Sequence, residues 1–127
     1  MDQNLKDRIM IVGGDSHFAY LIQRYVRRSA HTILTANPED NPLEIARTQR
    51  PVAIILEVDL PDTIGWSTLS ALKADPQVGC IPLIVCSWLD EGARALAGGA
   101  ERFLRMPILY ADFEDALGSI SMKGNHE

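Results

Sequence analysis

The sequence predicts an α/β fold in which a five-stranded parallel sheet is covered by helices on both faces. The chain has 127 residues, which is roughly the length of one domain. Several short runs are continuously apolar, as is typical of strands buried on both faces. Each run is followed by a segment with helical spacing or by a turn and a helix. Strict alternation of strands and helices indicates a parallel sheet with helices on either side.

The first half of the chain predicts two strands and two helices. The apolar run at 9–12 is the first strand, and it ends in Gly13 and Gly14. The second strand is rich in β-branched residues and spans 31–35. A polar segment at 38–50 has a weak helical face, and Pro42 suits the first helical position after Asn41 as cap. The helix after the first strand carries apolar side chains at helical spacing, namely Phe18, Leu21, Ile22 and Tyr25.

The second half predicts three strands and three helices. The third strand is the apolar run at 52–56, and a turn-rich loop follows it. The next helix ends at Asp75 because the residue before a proline disfavours helical backbone. The remaining segments are the fourth strand at 82–86, a short helix at 90–97, an edge strand at 102–105 and a last helix at 110–120.

Right-handed crossovers between parallel strands convert this order of elements into a doubly wound, three-layer α/β/α sandwich. For five strands the flavodoxin-like order 2-1-3-4-5 is the leading topology. Its ligand crevice lies at the carboxyl ends of strands 1 and 3, where the sequence places Gly13-Gly14-Asp15 and Glu57-Val58-Asp59. There is no internal repeat or linker, so we predict one domain over 1–120 and a tail over 121–127.

Composition excludes several classes of protein. The chain has 12 basic and 17 acidic side chains and a net charge of −5, which argues against nucleic acid as a direct partner. It has neither an apolar run of the roughly 18 residues that a membrane span needs nor the features of a secretory signal. Cys80 and Cys86 suit a reduced, cytoplasmic protein. Arg24, Arg27 and Arg28 predict a solvated helix end, with a docking patch as the alternative.

Four segments resemble, in order and at near-correct spacing, the receiver domain of bacterial two-component response regulators, the CheY-like domain. The resemblance extends from about 8 to 117. It implies a signalling module of a phosphorelay, with a histidine kinase or an output domain as protein partner. The segments are Ile-Ile-Leu-Glu-Val-Asp-Leu-Pro-Asp-Thr-Ile-Gly-Trp at 54–66, Lys-Ala-Asp-Pro at 73–76, Cys-Ile-Pro-Leu-Ile-Val-Cys-Ser at 80–87 and Gly-Gly-Ala-Glu-Arg-Phe-Leu-Arg-Met-Pro at 98–107.

The resemblance also assigns roles to positions in the crevice. In the family, an acid pair after strand 1 binds magnesium and an aspartate after strand 3 accepts the phosphoryl group. A serine or threonine after strand 4 and a lysine after strand 5 contact the phosphate. Here Gly13 and Gly14 stand at the acid pair, with Asp15 beside them. Glu57 stands at the acceptor position and Met106 at the lysine position.

Three further positions complete the comparison with the family. Ser87 and Pro107 keep the family type, whereas Phe103, at the switch aromatic, has no hydroxyl group. One or two carboxylates make a poor magnesium site, and without the lysine a phosphoryl group lacks its counter-charge. The resemblance therefore implies a degenerate receiver, or pseudo-receiver. We expect it to be non-enzymatic and not phosphorylated, with its magnesium site lost and no other cofactor.

Alternatives remain open at this point. Glu57 either imitates a phosphorylated acid or has drifted at a site without selection. Gly13 and Gly14 could instead admit a small anion or nucleotide, which would make the chain a ligand-gated pseudo-receiver. The Gly-Asp-Ser run at 14–16 follows a strand, as in GDS-type serine hydrolases. Those enzymes need a histidine base, and the last helix offers only Asp112 and Asp115.

The resemblance suggests where a partner would dock. In receivers the face formed by helix 4, strand 5 and helix 5 commonly forms dimers or binds partners, so we expect a possible homodimer there. The stretch from Ser87 to Met106 spans 19 positions, which is shorter than usual and places the deletion in the fourth helix. Trp88 and Leu89 either pack beneath that helix or form part of the partner surface. Met106, Ile108, Leu109 and Tyr110 are expected at its border.

Overall fold

The computed structural model describes residues 8–13, 16–29, 31–59 and 64–124. Within these residues five strands alternate with five α-helices, and a short 3-10 turn at Pro38–Asp40 precedes the second helix. The elements are β1 (Arg8–Val12), α1 (Ser16–Arg28), β2 (Thr32–Ala36), α2 (Pro42–Gln49), β3 (Ala53–Glu57), α3 (Ile64–Ala74), β4 (Leu83–Ser87), α4 (Gly92–Ala97), β5 (Arg102–Arg105) and α5 (Tyr110–Gly124).

The strands form one sheet in the order β2-β1-β3-β4-β5. Every neighbouring pair is parallel, so the predicted topology is confirmed. The register pairs Glu57 with Cys86 and Ser87 with Arg105. Because all strands run the same way, the carboxyl ends of β3, β4 and β5 lie side by side at one edge of the sheet.

Two apolar clusters cover the two faces of the sheet. Successive side chains of a strand point to opposite faces, and β1 shows this alternation clearly. Ile9 and Ile11 pack with α1 and α5, whereas Met10 and Val12 pack with α2 and α3. The strands are therefore buried on both sides, which explains why they are continuously apolar. The result is the predicted three-layer sandwich.

The polar segment at 38–50 contains a 3-10 turn and, from Pro42 onward, the helix α2. Asn41 adopts a left-handed backbone with φ of 57° and separates the 3-10 turn from α2. Its side chain accepts a hydrogen bond from the Glu44 amide at 3.4 Å, and Pro42 occupies the first turn, as predicted. Asparagine tolerates the left-handed region better than most residues, so it can end one turn and cap the next.

The later elements differ from their predicted bounds only at the ends. α4 begins at Gly92 and has 6 residues, which makes it the shortest α-helix among the described residues. α5 continues to Gly124, four residues beyond its predicted end at 120. The division into a domain over 1–120 and a tail stays a prediction. Cys80 precedes β4 and is exposed, whereas Cys86 lies buried within β4; both cysteines are free.

The end of α3 is held by one aspartate. Asp75 accepts hydrogen bonds from the backbone amides of Gln77 and Val78 at 2.8 and 2.9 Å. Its other carboxylate oxygen accepts from the Arg47 guanidinium at 2.6 Å. The Arg47 hydrogen bond is the main reason that the pKa of Asp75 lies below its usual value. α2 and α3 are thus joined on one face of the sheet.

The basic end of α1 packs against the start of α5. The Arg28 guanidinium lies 3.9 Å from the ring centre of Tyr110, a cation–π geometry. The Tyr25 hydroxyl donates to the Ile108 carbonyl at 2.8 Å. These contacts fix the connection between β5 and α5 over the core. None of the helices within the described ranges has the length and apolar character needed to cross a bilayer.

Candidate functional site

The residues predicted for the site converge at the carboxyl edge of the sheet. Gly13 follows β1, Glu57 ends β3, Ser87 ends β4 and Met106 follows β5. In open α/β sheets this edge is where ligands bind. Gly14 and Asp15, the other two predicted acid-pocket positions, lie outside the described residues.

Glu57 is buried and lies against Gly13. The residue is 2% exposed, although a carboxylate is rarely buried so completely. A Cβ atom added to Gly13 would lie 3.0 Å from Glu57 Oε1 and 2.8 Å from the Phe18 ring. Both distances are shorter than ordinary contacts between heavy atoms. The position of the first family acid is therefore filled by the Glu57 carboxylate and an aromatic ring.

Asp59 contributes to the site, although the sequence analysis assigned it no role. The Ser87 hydroxyl donates to Asp59 Oδ1 at 2.6 Å, and the Trp88 amide donates to Asp59 Oδ2 at 2.5 Å. Ser87 was predicted to contact phosphate. In the structure its hydroxyl donates a hydrogen bond to a carboxylate of the same chain. The sequence signal that could have identified Asp59 is its position, two residues after the end of β3 at the crevice.

Cys86 lies beneath these carboxylates and is fully buried. Burial is the main reason that the pKa of its thiol is raised, and the negative charges of Glu57 and Asp59 raise it further. The thiolate is the nucleophilic form of cysteine. A thiol with a raised pKa stays protonated near neutral pH, so Cys86 serves as a packing residue and not as a nucleophile.

Met106 occupies the lysine position with an apolar, buried side chain. It is 6% exposed and packs in the cluster between the sheet and the helices α1 and α5. The peptide bond between Met106 and Pro107 is cis. Nearby, the Arg105 side chain is engaged with the Trp88 carbonyl through Nε at 3.2 Å. Met106 therefore brings no positive charge to the crevice.

Phe103, at the switch-aromatic position, is half-buried and packs against the cluster on the α2–α3 face. A Cβ atom added to Gly92 would lie 3.3 Å from its ring, so the ring adjoins the start of the short α4. Its lack of a hydroxyl group leaves this contact apolar.

The described carboxylates at the crevice do not fit a magnesium ion. Magnesium prefers octahedral coordination by oxygen atoms and usually keeps several water ligands. Glu57 is almost inaccessible to solvent, and both Asp59 oxygens already accept hydrogen bonds. Among the residues that the structure describes, no group of three or more potential metal ligands is close enough to hold an ion.

Exposed apolar side chains concentrate after β4. Four of the six large apolar residues that are exposed in the described ranges lie in the stretch from β4 to α5; they are Trp88, Leu89, Leu96 and Leu109. Trp88 is 51% exposed and Leu89 is 58% exposed, so neither is buried beneath α4. The two others, Tyr20 and Val52, lie elsewhere in the chain.

The expected border of the partner face needs a correction. Met106 and Ile108 are buried, and only Leu109 is fully exposed while Tyr110 is partly buried. Met106 and Ile108 belong, with Leu104 of β5, to the buried cluster between the sheet and the helices α1 and α5. A cavity of about 300 Å³ lies between β5 and α5, lined by Arg102, Phe103, Leu104, Arg105, Ile108, Asp112 and Asp115.

The residues of the hydrolase alternative are used elsewhere or lie outside the described set. The side chain of Ser16 is not among those described. Asp115 pairs with Arg102 at 3.2 Å, and Asp112 lies in the first turn of α5. α5 contains no histidine that could serve as a base, and a serine nucleophile needs one.

Comparisons of the sequence with known proteins return regulatory proteins. The transcriptional regulatory protein PrrA of Mycobacterium tuberculosis is 31% identical over 106 residues, which is 83% of this chain and 46% of PrrA. The chain thus spans about half the length of that relative. The response regulator DivK of Brucella anthropi is 26% identical over 87% of this chain and 93% of its own length. No family model matches the chain.

Comparisons with solved structures return receiver domains. A putative response regulator from Chloroflexus aurantiacus superposes with a TM-score of 0.82 at 18% identity, over 91% of this chain and 97% of that one. The receiver domain of a sensor histidine kinase from Pseudomonas aeruginosa, with a magnesium ion in its active site cleft, gives 0.78 at 21% identity, over 91% and 98%. At such identities these matches establish the fold.

Proposed function

This chain is a CheY-like receiver domain of the response-regulator type, and we propose that it is a pseudo-receiver. It acts in two-component signalling, takes no phosphoryl group and transmits its signal by binding proteins. The partner is a histidine kinase or an output domain, and the two proteins bind each other in the cytoplasm. The proposal depends on one observation: Glu57, at the acceptor position, is buried against Gly13, where the family carries an acid.

The charges at the crevice support this proposal. Phosphoryl transfer depends on positioning and on stabilising the charge of the transferred group. A phosphoryl group adds about −1.5 to −2 charge units at neutral pH. At this edge it would meet the carboxylates of Glu57 and Asp59, and Met106 would offer no counter-charge. An incoming phosphoryl group would therefore be repelled and not stabilised.

The same features weigh against the ligand-gated alternative. The Phe18 ring and the Glu57 carboxylate leave no space for a side chain at Gly13. Gly13, Phe18 and Glu57 supply no positive charge for a bound anion or nucleotide phosphate there. No described contact favours this alternative or the serine hydrolase over a protein-binding module.

We expect the chain to remain unmodified after incubation with acetyl phosphate and magnesium, because Met106 offers no positive charge and the described residues form no cluster of metal ligands. Intact-protein mass spectrometry would measure the phosphoryl adduct, with a phosphorylatable receiver treated in parallel as the positive control. In amide NMR spectra, the signals of Gly13, Glu57 and Ser87 should not move with magnesium or beryllofluoride. An adduct on Glu57 or Asp59 would overturn the proposed function.

We further propose that the exposed apolar residues after β4 bind protein partners. The same residues would also bind a second copy of this chain. Replacing both Trp88 and Leu109 with alanine should weaken self-association by about tenfold or more, since buried tryptophans dominate many interfaces. Sedimentation velocity over a range of concentrations would measure the dissociation constant. Tyr20→Ala is the matched control, because Tyr20 is 62% exposed and lies on α1. Equal weakening by Tyr20→Ala, or a strictly monomeric wild type, would contradict the self-association proposal.

A further inference from the structure

Two hydrogen-bond donors at the end of β4 converge on a single carboxylate. The Ser87 hydroxyl reaches Asp59 Oδ1 at 2.6 Å and the Trp88 amide reaches Oδ2 at 2.5 Å. The 2.6 Å distance from the hydroxyl lies within the usual range for an O–H···O hydrogen bond. Ser87 is completely buried, and a buried hydroxyl without a partner costs free energy. The carboxylate therefore satisfies donors that would otherwise require another anion or water.

The same bonds hold the segment 87–89 in place. The Ser87 oxygen, besides donating to Asp59, accepts a bond from the Leu89 amide at 2.9 Å. On the opposite side, Arg105 Nε donates to the Trp88 carbonyl at 3.2 Å. This segment carries the exposed side chains of Trp88 and Leu89. The conformation that presents these two side chains thus depends on bonds to Asp59 and Arg105.

We propose that the Ser87 hydroxyl and the Trp88 amide form an anion-binding site that the chain fills with its own Asp59 carboxylate. Asp59 is a positioning residue that keeps the segment 87–89 in one conformation without any added group. Because the carboxylate is part of the same chain, its effective concentration at the donors is high. A free anion such as inorganic phosphate cannot displace it, and the site opens only when the carboxylate is removed.

This proposal rests on the proposed function only for the use of Trp88 and Leu89 by a partner. Whether Asp59 occupies the site does not depend on the proposed function, because this occupancy concerns hydrogen bonds within the chain. The two can therefore fail separately. Phosphorylation of Glu57 would overturn the proposed function, whereas the experiment below requires neither a kinase nor a partner.

The test uses the full chain with Asp59→Ala, followed by amide NMR and hydrogen exchange. We expect solvent exchange of the Trp88 amide to accelerate by about tenfold or more, since its acceptor is lost. Titration with inorganic phosphate should then produce saturable shifts at Ser87 and Trp88 in the variant and none in the wild type. Asp90→Asn is the matched control, because it removes one negative charge from an exposed side chain that directly follows the segment 87–89. This variant should behave as the wild type.

Any of three results would overturn the proposal. Saturable phosphate shifts at Trp88 in the wild type would show that the site is open. Unchanged Trp88 exchange in Asp59→Ala, or no phosphate binding by that variant, would show that the donors do not form a site held by Asp59. If Asp59→Ala does not fold, Asp59→Asn provides the same test. The amide keeps only one acceptor oxygen, so Trp88 exchange should accelerate less but still exceed that of Asp90→Asn.

Discussion

Replacing Gly65 with alanine is expected to destabilise the fold by about 3 kcal/mol, at the upper end of the range for overpacked sites. Gly65 is buried in the first turn of α3. A Cβ atom there would lie 2.5 Å from Val58 Cα and 2.8 Å from the Val58 carbonyl oxygen. These are backbone atoms, so no rotation of a side chain can relieve the contact. Either α3 or the chain after β3 must shift.

Urea unfolding of Gly65→Ala and the wild type would measure the difference in unfolding free energy. The matched control is Gly118→Ala on α5, where an added Cβ would meet nothing within 4 Å. That change should stabilise the helix by up to about 1 kcal/mol, since alanine loses less backbone entropy than glycine. A Gly65→Ala variant within about 0.5 kcal/mol of the wild type, the usual range for surface changes, would show that the contact is easily relieved.

The Gly65 contact also matters for the site, because Val58 directly precedes Asp59. A shift of Val58 would move the carboxylate that accepts from Ser87 and Trp88. In a folded Gly65→Ala variant, the Trp88 amide should therefore exchange faster than in the wild type. Close approach of α3 to the chain after β3 thus contributes to holding the segment 87–89.

The fold was predictable from the sequence because its strands are continuously apolar. Runs such as 53–56 have no polar residue to place in solvent, so they require helices on both faces. The predicted bounds of several strands differ by one residue, since hydrophobicity does not distinguish a last ladder residue such as Glu57 from the loop that follows it. The order of elements then placed Gly13, Glu57, Ser87 and Met106 at one edge.

The hydrogen bonds at that edge were not predictable in the same way. Asp59 follows the end of β3, where side-chain direction depends on loop backbone and no longer on a period of two. Its bonds to Ser87 and Trp88 also join residues far apart in the sequence. The inward direction of Met106 and Ile108 was not predictable from strand alternation either, because both follow the end of β5 at Arg105.

Restoring an acid at the first family position should fail for steric and electrostatic reasons. Gly13→Ala tests the steric part, and we expect a loss of about 1–3 kcal/mol because the added Cβ meets the buried Phe18 ring. Gly13→Asp adds a second carboxylate beside a buried one. Two like charges in a site with little solvent oppose each other's ionisation. Gly13→Asp should therefore be less stable than Gly13→Ala by about 1–2 kcal/mol.

A double-mutant cycle would separate the two contributions. Shortening Glu57 to aspartate withdraws its carboxylate from Gly13, so Gly13→Asp should cost less in the Glu57→Asp background than in the wild type. Urea unfolding of the four proteins near neutral pH would measure this coupling. If the cost of Gly13→Asp is the same in both backgrounds, the Glu57 carboxylate does not exclude an acid at position 13. If the coupling is found, one buried site accommodates only one of the two carboxylates. Glycine at position 13 and glutamate at position 57 are then a matched pair, and a change of either residue alone cannot return the crevice to a pocket for magnesium and phosphate.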